Sequence, residues 1–153
     1  MKGWSSMNWV APIKDEKTLD DFKKKLKETD PKYYIMFEIG IGTGMQLQDI
    51  LQLKNGDIRG KDSLTVEIGT KGMQTTFQIP ADLKKRIEEY TEGKPADAYL
   101  ITGTSNSNSP LSREQVYRVF RTVGRQVGLN SIGAQTMRKT FAWRYYRETG
   151  DIY

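Results

Sequence analysis

The sequence predicts a mainly helical α+β domain carrying one small antiparallel sheet. Apolar residues recur at helical spacing in the first third of the chain. From Asp57 to Ile79 the period shortens to two, and beyond that it returns to the helical value. Helices, a hairpin and helices again, in that order, describe an α+β domain.

In chain order, Leu19, Phe22 and Leu26 mark a first helix over Thr18–Glu28, with Lys23, Lys24, Lys25 and Lys27 mostly elsewhere around its axis. Asp30-Pro31 is a cap followed by proline at the first helical position, which opens a second helix through Tyr34, Phe37 and Ile41. Gly42-Thr43-Gly44 breaks it, and a short third helix presents Leu47, Ile50 and Leu51. Leu64, Val66 and Ile68 alternate with polar residues, as do Phe77 and Ile79, giving two strands joined by the turn Thr70-Lys71-Gly72-Met73. Pro80 starts a helix through Leu83, Ile87 and Tyr90 that ends near Gly93. Tyr99-Leu100-Ile101 precedes the loop TGTSNSNSP, which is surface by composition. Ser112 and Gln115 have capping-box spacing at the head of a helix through Val127, and a last helix runs from Thr136 towards Gly150.

A chain of 153 residues suits one domain with a real core, and residues 1–8 read as a leader or an added segment ahead of a single domain over 9–153. No apolar run approaches the roughly 20 residues of a membrane span, and MKGWSSMNW lacks the apolar centre of a secretory leader, so a cytoplasmic protein is expected. The chain has no cysteine and no histidine. Disulfides, thiolate chemistry, the usual zinc sites and histidine-based catalytic pairs are excluded together. Asp15, Glu16, Asp20, Asp21, Asp49 and Asp57 sit where helix starts and turns need caps, so neither a metal nor a cofactor is expected. The net charge of +5 favours a polyanionic partner.

Four places bear on that partner. Val116, Val119, Phe120, Val123 and Val127 share one side of the helix that starts at Ser112, and Arg118, Arg121 and Arg125 fall near the opposite side. Arginine forks suit phosphate oxygens and base edges; the plain alternative is a solvated helix face. Lys23-Lys24-Lys25 lies beside Asp20, Asp21 and Glu28 and reads as a mixed-charge surface. Gln46 and Arg138 each interrupt an apolar stretch, and a half-buried arginine needs a carboxylate or a phosphate to offset its desolvation. Lys71 sits at the tip of the hairpin, where a lysine by itself is commonplace.

These pieces resemble, in order and spacing, the catalytic domain of the tyrosine recombinase (phage integrase) family, over a match from about Trp9 to the end. GTGMQLQDILQLKNGDI is similar to the family's first signature, with Thr43, Gly44, Asp49, Leu53 and Asp57-Ile58 fitting and Gln46 at the catalytic arginine position. IGTKGMQTTFQIP looks like the family's hairpin, with Lys71 at its lysine. YLITG…SPLSREQVYRVFRTVGRQVGL resembles the strand, loop and helix before the second signature. AQTMRKTFAWRYY is similar to that signature: Arg138, Lys139, Thr140 and Phe141 fit, and Gln135 occupies the histidine position. The flavour is that of short integrase-like proteins of Firmicutes and their phages.

The resemblance implies a tyrosine that attacks the scissile phosphate, arginines and a histidine or lysine that stabilise the growing charge, and a hairpin lysine that protonates the leaving oxygen, without metal or cofactor. Here Lys71 and Arg138 survive, Gln46 and Gln135 are degenerate, and the nucleophile segment is expected to be absent, as are the last one or two helices of the fold. Tyr145, Tyr146 and Tyr153 are expected to serve packing. The implied partner is double-stranded DNA, contacted by Arg118, Arg121, Arg125 and Lys139, with self-association on DNA left open. The expected function is DNA binding in site-specific recombination or phage integration, by a chain that does not cleave. The alternative is a bacterial or phage regulator, a repressor or accessory factor, on a degenerate recombinase fold. Either protein would be cytoplasmic, bacterial or phage-encoded, and nucleoid-associated.

Overall fold

The computed structural model describes residues 12–68, 72–103, 108–130, 132–133 and 135–149. Its elements are α1 (Glu16–Thr29), α2 (Pro31–Thr43), α3 (Leu47–Leu51), α4 (Asn55–Ile58), β1 (Ser63–Ile68), β2 (Met73–Gln78), α5 (Ala81–Thr91), α6 (Arg113–Gln126) and α7 (Thr136–Thr149). The mainly helical α+β architecture with one antiparallel hairpin is the expected one.

Two aspartates define the first helices. Asp15 caps α1 by accepting from the Thr18 backbone N–H at 2.9 Å and the Thr18 hydroxyl at 2.7 Å, which holds its carboxyl below the usual range. Asp30 serves both neighbours. Its N–H closes α1 on the Leu26 carbonyl, and its side chain accepts from Lys32 N–H to cap α2, whose first residue is Pro31.

α2 is the central element. The sequence runs this helix through Tyr34, Phe37 and Ile41; burial continues around the axis through Ile35, Met36, Phe37, Ile39 and Ile41, and Tyr34 is only half-buried. A helix surrounded on nearly every side carries no periodic signal to read. Phe22 of α1, Phe37 of α2 and Phe120 of α6 meet edge to face, with ring centroids 5.0, 5.7 and 5.9 Å apart. Each ring contributes about 1.5–3 kcal/mol by burial, and each pair about 0.5–1.5 kcal/mol more. Glu38 is also inside this helix, 5% exposed, and is held by Lys23 at 3.4 Å and Arg86 of α5 at 4.0 Å. Burial and a hydrogen bond to Glu38 push the Tyr34 hydroxyl up to about 12.

The hairpin pairs Ser63 with Gln78 through Ile68 with Met73. Leu64, Val66 and Phe77 pack on the core, and the Thr65 and Thr76 hydroxyls meet at 2.8 Å among exposed residues. The short α4 has no counterpart in the sequence reading. It exists because distant groups satisfy its first turn: Asn55 N–H donates to Ala98 O and Gly56 N–H to Ala96 O, both at 2.9 Å. The capping box at Ser112 is half formed. The Ser112 hydroxyl accepts from Gln115 N–H, but the Gln115 amide turns to the Tyr33 hydroxyl.

α7 lies along the end of α2 because two glycines let it approach. A Cβ on Gly40 would overlap the Met137 side chain. Gly44 ends α2 in the left-handed region at φ 83°, and a Cβ there would stand 2.8 Å from the Phe141 ring.

Candidate nucleic-acid interface

The α2–α7 junction positions the first group of candidate residues. Immediately after Gly44, the buried Met45 anchors the chain, and Gln46 becomes the exposed N-cap residue of α3, its carbonyl accepting from Asp49 and Ile50 N–H at 3.1 Å. On the other side, Gln135 precedes α7, is exposed, and accepts from Lys139 N–H at 2.9 Å. The Thr136 hydroxyl accepts from Gly133 N–H and pins the turn into the helix. Arg138 follows in the first turn, half-buried, between Met137 and Phe141, the two residues that face Gly40 and Gly44.

Asp49 joins the two sides. It lies in the first turn of α3, three residues after Gln46, and partial burial raises its pKa while the charge of Arg138 pulls the other way. Desolvation is the larger influence. Arg138 therefore has a carboxylate in its field, and among the described residues it makes no ion pair with it. Arg138 lies within electrostatic range of Asp49, Gln46 opens the helix that carries Asp49, and Gln135 stands just ahead of α7. Lys71, between β1 and β2, lies outside the described residues, as does Tyr153. An open cleft of about 700 Å³ runs between β2, α5 and α7, and none of Gln46, Gln135 or Arg138 lines it. The group lies outside that hollow.

The second group is on α6. Val116, Phe120 and Val123 are buried, and Arg118, Arg121 and Arg125 are exposed on the far side. Arg118 donates to the Gln115 side chain at 3.0 Å. Among the described residues the arginine ion pairs belong to Arg86, Arg144 and Arg147, so the three α6 guanidinium groups carry uncompensated charge. No hydrogen bond or ion pair among the described residues joins them to α7. Lys139 is half-buried and engaged in contacts of its own. Lys25 is paired with Glu28, as the mixed-charge reading expects, whereas Lys23 turns inward to the buried Glu38.

Two expectations need correction or addition. Tyr145 and Tyr146 are 39% and 46% exposed, so packing accounts for little of Tyr146, while Tyr145 keeps a tilted contact with Phe141 at 6.0 Å. Positions 145 and 146 follow the buried stripe of α7 by more than a turn, where the helix runs out past α2. The sequence reading also passes over Glu16 as an ion-pair partner. Glu16 accepts from Arg144 at 3.0 Å and Arg147 at 2.7 Å across some 130 residues, and no local signal announces such a pair. Among the described residues no group of acidic side chains is arranged to hold a metal ion, and no helix is long and apolar enough to cross a membrane.

The sequence matches the Phage integrase family over residues 14–153. It is 32% identical over 146 residues to the probable integrase/recombinase YoeC of Bacillus subtilis (strain 168), an alignment that covers 95% of this chain and 80% of that protein. The fold is similar to that of XerA recombinase, with a TM-score of 0.73 at 20% identity, covering 95% of this chain and 55% of XerA. It is also similar to XerH site-specific recombinase, solved bound to its difH substrate in a pre-cleavage complex, with a TM-score of 0.71 at 18% identity, covering 93% of this chain and 45% of XerH. The chain thus spans about half the length of these two recombinases.

Proposed function

This chain belongs to the phage integrase family, and from that premise we propose that it is a DNA-binding member of a site-specific recombination or integration system which holds a phosphodiester without cleaving it. The observation that carries the proposal is the junction of Gln46, Asp49 and Arg138. In this reading Arg138, which acts electrostatically on Asp49, supplies one positive charge to a phosphate, and Gln46, at the head of α3, supplies an amide at the position that resembles the family's other arginine. An amide offers a dipole in place of a charged fork, and loss of one such donor costs about 10²–10³ in rate. Gln135 can donate a hydrogen bond and cannot carry a proton. The similar fold of lambda integrase, solved bound to DNA, supports DNA as the ligand class.

Ground-state binding survives these substitutions better than catalysis does, because attraction to phosphate comes largely from charges elsewhere. Arg118, Arg121 and Arg125 supply it in this reading, on a helix whose reverse side is locked into the core by Phe120. Each contact to phosphate releases counterions, so duplex affinity falls steeply with salt. The test is a salt titration of binding to a linear duplex, combined with trapping on a nicked suicide duplex. Steep salt dependence with no covalent adduct is expected. A flat dependence removes the DNA reading, and an adduct removes the inactive one.

A second reading, a repressor or accessory factor that keeps the fold and has given up strand exchange, draws on the same two exposed glutamines. It is separated from the first by target sites: a regulator selects one operator-like sequence, and a recombination component binds paired half-sites at a junction.

A further inference from the structure

The helix that carries Arg138 is held on two sides. Met137 and Phe141 face the glycines of α2. The other grip is the segment that enters α1. Ile13 N–H, buried, donates to the Thr140 hydroxyl at 3.0 Å. The Lys14 ammonium stands 4.5 Å from the centroid of the Trp143 ring. Glu16 accepts from Arg144 and Arg147. Thr140, Trp143, Arg144 and Arg147 are spaced i, i+3, i+4 and i+7 and form one stripe. At about 100° per residue, that stripe lies roughly opposite Arg138 around the helix axis.

We propose that Ile13–Glu16 is a strap that fixes the rotation of α7, and that Glu16 is thereby a positioning residue for Arg138, acting through the helix without touching DNA. The inference rests on the reading of Arg138 as a phosphate contact. The lever is geometric. The α2 grip seats Met137 and Phe141 against Gly40 and Gly44 on one side of α7. The strap engages α7 by an ion pair, a hydrogen bond and a ring, on the side where turning would show most. A rotation of about 20° moves a side-chain tip about 6 Å from the axis through about 2 Å, enough to lose a hydrogen bond to a fixed phosphate oxygen. Glu16 is also the group that tightens the strap, because its two arginine partners hold its carboxyl below the usual range, with the hydrogen bond from Arg147 the larger cause.

The test exploits the sign of the effect. Removing a carboxylate from a basic protein tightens its attraction to DNA on charge alone. The strap predicts the opposite. The full chain with Glu16→Gln is compared with wild type and with Arg138→Gln, by hydrogen exchange and by binding to a linear mixed-sequence duplex across a salt series. Expected for Glu16→Gln are faster exchange along 138–149, with α2 unchanged, and about threefold to tenfold weaker binding at an unchanged salt slope. Arg138→Gln should weaken binding and lower the slope by about 0.9. Unchanged or tighter binding by Glu16→Gln, beside weaker binding by Arg138→Gln, overturns the strap as a positioning device. Unchanged binding by Arg138→Gln removes that arginine from the interface, and the proposal falls with it on a separate readout.

Discussion

Gly44 combines two constraints that can be measured apart. Its φ of 83° is unfavourable for any residue with a Cβ, by about 1–2 kcal/mol. A Cβ at that position would also stand 2.8 and 2.9 Å from two atoms of the Phe141 ring, and overpacking of that kind costs about 1–3 kcal/mol. Gly44→Ala should therefore destabilise the domain by about 2–5 kcal/mol, a large share of the 5–15 kcal/mol typical of a folded domain. Gly60 is the internal control. It has a similar φ of 73° with nothing within 4 Å of its would-be Cβ, so Gly60→Ala isolates the backbone contribution at about 1–2 kcal/mol. Urea unfolding of both variants, read from midpoints at constant m, gives the difference directly. Phe141→Ala supplies the second half of a double-mutant cycle: combined with Gly44→Ala it should recover much of the packing penalty and none of the backbone one. Equal losses at Gly44 and Gly60, or strict additivity with Phe141→Ala, would refute the close approach of α2 and α7 that places Arg138.

Other consequences are open to simpler measurements. Thr140→Val removes the acceptor of the buried Ile13 N–H and should cost about 1–3 kcal/mol, against a few tenths for Thr140→Ser; equal effects would argue against that bond. Asp49→Asn should stabilise the fold at neutral pH. The raised pKa means that protonation of Asp49 favours the folded state, so its contribution is fully present below 3.8 and is lost as pH rises through the folded value; the advantage of the asparagine variant in pH-dependent urea melts should appear over that rise, and an advantage that shrank would reverse the assignment. Phe120→Ala empties one corner of the aromatic trio and should cost about 3–5 kcal/mol, whereas Arg121→Gln on the reverse face should leave thermal stability within about 0.5 kcal/mol of wild type. Replacing Arg118, Arg121 and Arg125 together by glutamine should reduce the salt slope of duplex binding by up to about 2.7, and an unchanged slope would place those arginines off the DNA.

What could be read in advance depended on how many sides of an element face the core. α6 is buried along one stripe, and its sequence states Val116, Phe120 and Val123 on one side and the arginines on the other. α2 is buried nearly all round, so its sequence yields a helix and no orientation, and Glu38 was the one letter that could have flagged an internal ion pair. α4 was invisible because its first turn is satisfied by carbonyls some forty residues away. At the candidate site, residue patterns alone gave two odd polar letters, Gln46 and Arg138, and only the resemblance to a family put them in one place. Asp49 was legible as part of a motif, but not as a partly desolvated group in the field of Arg138, because desolvation belongs to the folded packing and not to the motif. The Glu16 clasp joins the two ends of the described chain, and no window of sequence contains both halves.

The aromatic trio also bears on the order of assembly. Phe22 and Phe37 stand 15 positions apart on helices joined by a single residue, and Phe120 comes from 83 positions beyond the nearer of them. By loop-closure entropy, bringing in the third ring costs about 1.5 kcal/mol more than joining the first two. The α1–α2 hairpin can thus form as a local nucleus presenting an aromatic ledge, and α6 condenses onto it late. A helix that docks late leaves early as well, so loosening Phe120 would quicken unfolding and leave the first step of folding nearly untouched.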